Sequence, residues 1–431
     1  DEEGESGLAH DGLHLKDVLG KAARRNARDC DAGRWTTPDR RNDSRAMDTL
    51  ATGRLARAVA RLALATVFLG TPAAWADALR WNVDIAPDGE IFPVLDLSQA
   101  RSAANGAAGD GSGLVAVRAT TDVPREVRLT VETEGLVAPA TVEARTLRGG
   151  VAVELRPRLA WDAAYLRRLA APHLQALRVR IEAKGLPADV RELTVRVHPL
   201  DDALYYFREG RDRVDLGWVF AAYVDPDDAV VDAVLELAHG AGATSDADAG
   251  TADAKIAQVR GVWNALEAHG LRYAEGDPAL SRGPNIYSQR VRLVADSWAE
   301  RRANCIDSSV LIASVLERLG IRSFIVLVPR HAFVGFYAAS DRGRPEFLET
   351  TLLGTDAGHL PRAAASSFDA ARAAGRQRFN RIAGRLDKAH RPDYALIDIE
   401  TARAYGIVPL TARAREGERP HDVAARAAPL R

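Results

Sequence analysis

The spacing of the apolar residues changes once along the chain, and this change limits the fold more than any other feature. In the segments 127–132, 177–182 and 193–197, apolar and polar residues alternate. Such alternation places one face of a strand on a core and the other face in water. From about residue 255, apolar residues recur at helical spacing and short apolar runs follow. The pattern predicts an α+β fold, in which a β-sandwich-like domain precedes a mixed helix and strand domain.

A short apolar run near the start of the chain predicts export. Three arginines between positions 54 and 61 precede an apolar run at 62–70, and a small-x-small pattern ends at Ala76. This layout is typical of a signal peptide, here over 47–76, and the run is shorter than the roughly 20 residues that cross a bilayer. An uncleaved anchor or a buried core helix is the alternative. We expect a periplasmic or secreted protein with no stable membrane span after signal cleavage.

The residues before the signal peptide are excluded from the fold prediction. Segment 1–46 is polar, carries mixed charge and shows no sustained periodicity, whereas Met47 is the only methionine of the chain. We interpret 1–46 as a non-native leader, translated from a start site that is too early, with a disordered leader as the alternative. The 431 residues include 58 Lys and Arg against 59 Asp and Glu. This balance lacks the basic excess of nucleic-acid-binding proteins, so we expect no nucleic-acid partner.

Changes in composition and periodicity divide the rest of the chain. We predict a β-sandwich-like domain at 77–200, a helical connector and flexible linker at 201–254, an α+β domain at 255–360 and a C-terminal helical extension at 361–431. The linker prediction rests on segment 240–254, which consists only of Gly, Ala, Asp, Ser and Thr. The Ala- and Arg-rich stretch at 364–385 is predicted as a solvated helix.

Cysteine usage draws attention to one thiol. The chain has two cysteines, Cys30 in the leader and Cys305, so an exported protein would carry one unpaired thiol. A buried and inert cysteine is the alternative. A helix is predicted at 305–319, with Asn304 as its N-cap and Asp307 at the capping-box position. Cys305 then lies in the first turn, where the helix dipole favours the thiolate, which is the reactive form.

The segment after this helix places two further polar residues in order. Three strands are predicted, at 323–328, 332–337 and 345–351. His331 lies at the start of the second strand and Glu349 within the third. A histidine beside a thiol can hold its proton and return it to a leaving amine, and a carboxylate can fix the histidine tautomer. The order favours a Cys305, His331 and Glu349 site, although a structural histidine and an ordinary surface carboxylate would give the same spacing.

Four short segments resemble a known family. They are Ala303-Asn304-Cys305-Ile306-Asp307-Ser308-Ser309, Leu316-Glu317-Arg318-Leu319-Gly320-Ile321, Pro329-Arg330-His331-Ala332-Phe333-Val334-Gly335 and Phe347-Leu348-Glu349-Thr350-Thr351. Together they resemble the bacterial transglutaminase-like superfamily, which has a papain-like core. The resemblance covers about residues 255–355 and implies catalytic roles for Cys305, His331 and Glu349. The chain departs from the family pattern at Ala303, where relatives often have Gly, and at Glu349, where many have Asp.

The resemblance implies a thiol enzyme that acts on amide or peptide bonds through an acyl-enzyme on Cys305, as a peptidase, amidase or acyl transferase. The backbone N–H of Cys305 and the side chain of Gln289 are the candidate oxyanion donors. The alternative is a catalytically inactive scaffold or binding module of the cell envelope. The partner is accordingly a protein or peptide substrate, or an envelope protein. We expect no cofactor and no metal, because the chain has no His-Glu-x-x-His run and its ten histidines lack ligand spacing.

Overall fold

The computed structural model describes part of the chain in detail. The described residues are 78–99, 115–210, 212–240, 251–275, 285–339, 344–355, 361, 364–386 and 394–411. Helices and strands occur in comparable amounts, so the chain is α+β as predicted. The predicted leader at 1–46, the signal peptide at 47–76 and most of the linker at 240–254 lie outside the described residues. Within the described ranges, no helix is both long enough and apolar enough to cross a membrane.

The first described segment forms two sheets. Its strands are β1 (Leu79–Ile85), β2 (Glu90–Ile91), β3 (Val115–Thr121), β4 (Arg125–Thr133), β5 (Ala140–Leu147), β6 (Val153–Leu155), β7 (His173–Ala183) and β8 (Asp189–Val197). The strand orders are β1-β3-β6 and β2-β8-β7-β4-β5. Helices α1 (Pro93–Leu97) and α2 (Ala163–Arg168) interrupt the strands. Along β7, Leu177, Val179 and Ile181 are buried and the residues between them are exposed, which confirms the predicted alternation.

The segment predicted as a helical connector begins instead with two strands. These are β9 (Asp202–Glu209) and β10 (Asp212–Asp215), and helices α3 (Val219–Tyr223) and α4 (Ala229–Gly240) follow. Strand β9 pairs with β10 and with β12 (Ile286–Arg290), both antiparallel. The aromatic residues Tyr205, Tyr206 and Phe207 explain the strand, because aromatic side chains favour a pleated and half-buried surface.

The segment that contains the candidate thiol packs helices around a four-stranded sheet. Its elements are α5 (Ala252–His269), β11 (Arg272–Tyr273), α6 (Val294–Glu300), β13 (Arg302–Ala303), α7 (Cys305–Arg318), β14 (Ser323–Val328), β15 (His331–Tyr337), β16 (Pro345–Leu348) and a 3-10 helix at Thr350–Leu352. The predicted helix and the first two predicted strands are therefore confirmed. The strand order is β16-β15-β14-β17, with β17 at Ala395–Asp398, and all neighbours are antiparallel.

The C-terminal segment completes this sheet and covers one of its faces. It contains α8 (Ser367–Leu386), the edge strand β17 and α9 (Ile399–Ala404). The expectation of a solvated helix at 364–385 is wrong, because Phe368, Phe379 and Leu386 of α8 are buried. A Cβ atom on Gly375 would lie 2.9 Å from the backbone carbon of Phe347 in β16. Only glycine allows this close approach of α8 to the sheet.

Strand β14 is buried on both faces, since all six of its residues are buried. Ile325 and Leu327 belong to the hydrophobic core that includes α7. Phe324, Val326 and Val328 belong to a separate apolar cluster with the side chains of α8. The sheet therefore lies between α7 on one face and α8 on the other.

Candidate functional site

The start of α7 is fixed by a reciprocal capping box. The Asn304 side-chain oxygen accepts hydrogen bonds from the backbone N–H groups of Ile306 at 2.9 Å and Asp307 at 3.0 Å. The Asp307 carboxylate accepts in return from the backbone N–H of Asn304 at 3.1 Å. The predicted capping box is thus confirmed. Cys305 is the first residue of α7, at the positive end of the helix dipole.

A buried ion pair holds this helix start in place. The backbone N–H and one guanidinium nitrogen of Arg292 donate to the Asp307 carboxylate at 2.8 and 3.0 Å. Burial raises the pKa of Asp307, and these bonds partly oppose the rise. Sequence reasoning did not identify Arg292, because nothing local to residue 292 marks a partner fifteen positions later in the chain. The pair ties the first turn of α7 to the segment before α6.

The carbonyl of Cys305 connects the helix to the segment that carries the carboxylate. It accepts hydrogen bonds from the hydroxyl of Ser309 at 2.6 Å and the hydroxyl of Thr350 at 3.1 Å. Thr350 directly follows Glu349 in the chain. The thiol itself is free and partly exposed. Cys305, the candidate nucleophile, is therefore held at a fixed position relative to Glu349 and remains accessible.

His331 contacts both of the other predicted site residues. Its Nε2 atom lies 2.9 Å from Oε1 and 3.0 Å from Oε2 of Glu349. On its other side the imidazole lies close enough to the Cys305 side chain for that side chain to raise the histidine pKa. Because Nε2 faces the carboxylate, Nδ1 is the ring nitrogen left for the thiol. The structure thus brings Cys305, His331 and Glu349 together in the order thiol, imidazole, carboxylate.

The surroundings of His331 favour its charged form. Burial is the largest influence and lowers the pKa, but the hydrogen bonds and charges of Cys305 and Glu349 outweigh it and raise the pKa to about 9. The side chain is 13% exposed. At neutral pH the imidazole is therefore a proton donor, held between two groups that are negative when ionised.

Glu349 lies just after β16, whereas the sequence predicted it within a strand. Strand β16 ends at Leu348, and Glu349 is the N-cap of the short 3-10 helix. The Thr351 hydroxyl donates to its Oε1 atom at 2.9 Å. The strand ends early because the backbone N–H of Glu349 bonds the carbonyl of Ala371 in α8 at 3.0 Å instead of a strand partner. The turn directs the carboxylate towards the imidazole.

Arg378 of α8 is a second charged partner of the Glu349 carboxylate. Its Nε atom donates to Oε2 of Glu349 at 2.6 Å. Burial tends to raise the pKa of Glu349, but the bonds from His331, Arg378 and Thr351 hold it below its ordinary value. The carboxylate is therefore ionised and fixed from two sides. Sequence reasoning missed Arg378, since it belongs to the helix that was predicted to be solvated.

The two candidate oxyanion donors differ in their surroundings. The side-chain amide of Gln289 donates to the carbonyl of Arg290 at 3.0 Å. The described hydrogen bonds include none between Gln289 and Cys305, His331 or Glu349. In the described part of the chain, the backbone N–H of Cys305 has no acceptor, because Asn304 takes the next two N–H groups of the helix. The Cys305 N–H is thus available to a substrate oxygen.

Tyr273 is a further neighbour of the site that sequence reasoning did not identify. Strand β11 pairs in parallel with β13, which places Tyr273 opposite Ala303, two residues before Cys305. Burial, together with the charges of Cys305 and Glu349, raises the pKa of the Tyr273 phenol. The ring is 37% exposed. It forms part of the accessible wall beside the thiol.

Among the residues with a described position, no group of three His, Cys, Asp or Glu side chains could hold a metal ion. Comparison with known proteins adds no assignment, since no family model and no curated protein matches the chain. The chemistry of the site therefore has to be inferred from its own geometry.

Proposed function

We propose that the chain is an exported thiol enzyme that acts on amide or peptide bonds through an acyl-enzyme on Cys305. The observation that carries this proposal is the position of His331, which is hydrogen-bonded to Glu349 and lies beside the Cys305 side chain. A buried carboxylate, an imidazolium and an accessible thiol in this order have the parts that nucleophilic catalysis by cysteine requires.

The first half of the reaction follows from these contacts. The Cys305 thiolate attacks the amide carbonyl carbon, a C–S bond forms, and the carbonyl oxygen becomes negative. The backbone N–H of Cys305 donates to this oxygen, as a preorganised donor at a helix N-terminus. The imidazolium of His331 then gives its proton to the amide nitrogen, and the C–N bond breaks as the amine leaves.

The second half restores the site. Neutral His331 removes a proton from an attacking water or amine, which displaces the thiolate from the acyl group. Glu349 keeps the ring oriented and stabilises its charged form throughout, and Arg378 keeps Glu349 ionised. Hydrolysis and acyl transfer differ only in the acceptor that enters at this stage.

The fold and location that fit this proposal are a transglutaminase-like domain after an N-terminal β-sandwich, in the periplasm or outside the cell. The order of a helix that begins at Cys305, a strand that begins at His331 and a carboxylate after the next strand supports this assignment. The two sheets of residues 79–197 support the sandwich. The substrate would then be a protein or peptide.

The pH dependence of Cys305 alkylation tests the enzyme proposal. Iodoacetamide would be added to the full chain at several pH values, and the Cys305 peptide quantified by mass spectrometry. We expect the wild-type thiol to react at pH 6 at least about tenfold faster than the same thiol in His331→Ala, because the imidazolium holds the thiolate. Glu349→Gln should give an intermediate rate.

The matching control is the free thiol N-acetylcysteinamide, which is alkylated under the same conditions and gives the rate of a thiol with no imidazolium beside it. Thermal midpoints of both chains would show that the variant is folded. Equal rates at Cys305 in wild type and a folded His331→Ala variant would reject the enzyme proposal. A non-catalytic scaffold would then be the better description.

A further inference from the structure

A buried histidine joins the five-stranded sheet of the first segment to the β10-β9-β12 sheet that follows it. His198 comes directly after β8, and its side chain is fully buried. Its Nε2 atom lies 2.8 Å from the carboxylate of Glu90 in β2, and its Nδ1 atom lies 2.7 Å from that of Asp202, the first residue of β9. The proposed function uses none of these three residues, which we call the junction.

The junction requires two protons. A carboxylate accepts hydrogen bonds and does not donate them, whereas a neutral imidazole has a single N–H group. Both contacts are therefore hydrogen bonds only when the ring is doubly protonated, or when one carboxyl group carries the second proton. Removal of one proton leaves one of the two contacts without a hydrogen.

No strong second donor replaces the histidine in the described part of the chain. His198 is the only described side chain that hydrogen-bonds to the Asp202 carboxylate, and the Oδ1 atom of Asp202 is buried without a donor. Glu90 has the guanidinium of Arg196 at 3.9 Å, but that side chain is 45% exposed. A lost proton therefore leaves a buried or part-buried acceptor unpaired, which is unfavourable.

The other charged and titratable groups beside the junction come from β12, α3 and the start of β9. Arg290 of β12 donates to the Asp201 carboxylate at 2.9 Å and opposes the rise that burial causes in the pKa of Asp201. Burial and the charges of Asp201, Asp202 and Asp307 raise the pKa of the Tyr223 phenol in α3. Among these groups and the junction itself, only histidine has an ordinary pKa close to neutrality.

The junction lies one strand away from the residues that hold α7. Strand β9 pairs with β12, and Asp202 lies opposite Arg290. Arg292 follows two positions after Arg290 and donates two hydrogen bonds to Asp307 in the first turn of α7. A displacement of β9 would therefore act on the segment that fixes the start of this helix.

We propose that the junction is a pH-sensitive device, which holds β9 and β12 against the first segment while its two protons are bound. When it opens, His198 has its ordinary pKa of about 6.5 and loses its proton above that pH. In the closed form, burial lowers the pKa of His198, but the bonds and charges of Asp202 and Glu90 outweigh burial and raise it. The closed form is therefore fully favoured below about pH 6.5 and becomes less favoured as the pH rises. The device operates whether or not Cys305 is catalytic.

Amide hydrogen exchange of the full chain at pH 6.5 and pH 9.5 tests the device. After correction for the intrinsic exchange rate, we expect the protection of β9 and β12 to fall at least about fivefold more than that of β4. Strand β4 is the reference because it lies two strands away from β8. The opening equilibrium changes about tenfold per pH unit wherever the closed form binds one proton more than the open form.

Two variants keep the contacts of the junction and remove its need for the second proton. In Glu90→Gln, the amide N–H donates to Nε2 of a neutral ring, whose Nδ1–H donates to Asp202. Asp202→Asn makes the same replacement on the other side of the ring. Each should reduce the additional fall in β9 and β12 at least about threefold. Glu192→Gln, which replaces an exposed carboxylate of β8, is the matched control and should retain the additional fall.

The comparison among chains isolates the junction, because His331 titrates in all of them. Thermal midpoints at pH 6.5 would show which variants are folded. An additional fall that is present in wild type and Glu192→Gln and reduced in a folded junction variant would support the proposal. Equal falls in β9, β12 and β4 of the wild type, or an additional fall that the folded junction variants retain, would overturn it.

Discussion

Two histidines among the described residues contact carboxylates, and only one of them faces an accessible group. His198 is fully buried, with Nδ1 2.7 Å from Asp202 and Nε2 2.8 Å from Glu90. Its ring stacks on Phe92 with 3.8 Å between centroids. His331 has one carboxylate partner, lies beside the Cys305 thiol, and has a side chain that is 13% exposed.

The comparison separates what raises a histidine pKa from what makes a histidine reactive. Burial lowers the pKa of His198, but its two carboxylate partners raise it overall, and the same balance applies to His331. A raised pKa is therefore common to both. The thiol on one side and the access to solvent belong only to His331. We infer that His198 is a structural connection between β8 and β9, whereas His331 belongs to a chemical site.

The largest expected effect is the loss of stability in His198→Ala. Removal of the ring leaves the buried carboxylate of Asp202 and the part-buried carboxylate of Glu90 without this partner, and breaking a buried pair costs about 3–5 kcal/mol. His331→Ala is the matched substitution at the Cys305 site and should cost less, because Glu349 keeps its bonds from Arg378 and Thr351. Urea denaturation followed by circular dichroism would measure both. Similar losses for the two variants would show that the two sites do not differ in the way described.

A smaller loss of stability is expected in Gly375→Ala, which tests whether the packing of α8 on β16 supports the position of Glu349. The added Cβ would meet the backbone of Phe347 and Leu348 at 2.9 and 3.0 Å, so α8 has to move away from β16. Overpacking of this kind costs about 1–3 kcal/mol, partly offset by a gain of up to about 1 kcal/mol in helix propensity. The same shift should weaken the Arg378 to Glu349 bond and slow Cys305 alkylation.

Gly384→Ala is the matched control on the same helix. No atom lies within 4 Å of its added Cβ, so only the helix-propensity gain of up to about 1 kcal/mol applies. Thermal denaturation and iodoacetamide labelling of both variants would separate packing from propensity. A Gly375→Ala chain as stable as Gly384→Ala would mean that α8 does not constrain the carboxylate.

The smallest effect is the loss of stability at alkaline pH. A folded-state pKa above the unfolded value contributes stability that is complete below the unfolded pKa, about 6.5 for histidine, and is lost as the pH rises through the folded value. For His331 that value is about 9. We expect the thermal midpoint to fall from pH 6.5 to pH 9.5 by about 2–4 °C more in wild type than in His331→Ala.

The part of the alkaline loss that persists in His331→Ala should come from His198, whose pKa is raised in the same direction. Scanning calorimetry at the two pH values would measure both chains. An identical fall in wild type and His331→Ala would assign the whole effect to other groups and remove the proposed charge on His331.

The local parts of the site were predictable from the sequence. The capping box of Asn304 and Asp307 lies within one helical turn, and the apolar runs of β14 and β15 indicate buried strands. His331 begins β15 as predicted. These features depend on residues close together in the chain, where spacing and side-chain type carry the information.

The features that were not predicted from the sequence depend on contacts between segments that are distant in the chain. Arg378 lies 29 positions after Glu349, and no local pattern joins them. The apolar stripe of α8 is narrow within an Ala- and Arg-rich sequence, so its composition resembled that of a solvated helix. The arginines Arg372 and Arg376 of that helix pair with Glu346, a buried carboxylate of β16, at 3.0 and 2.8 Å. Two of the arginines of this basic helix therefore have their acidic partner within the same chain.

The position of β17 has a consequence for truncated forms of the protein. This strand pairs with Phe324 to Leu327 of β14 and forms one border of the sheet. A chain cut by a protease before residue 395 would leave the central and wholly buried β14 with a row of unsatisfied backbone groups. Such an unpaired strand edge can pair with strands of other molecules and lead to aggregation. The last described strand therefore acts as protection against self-association.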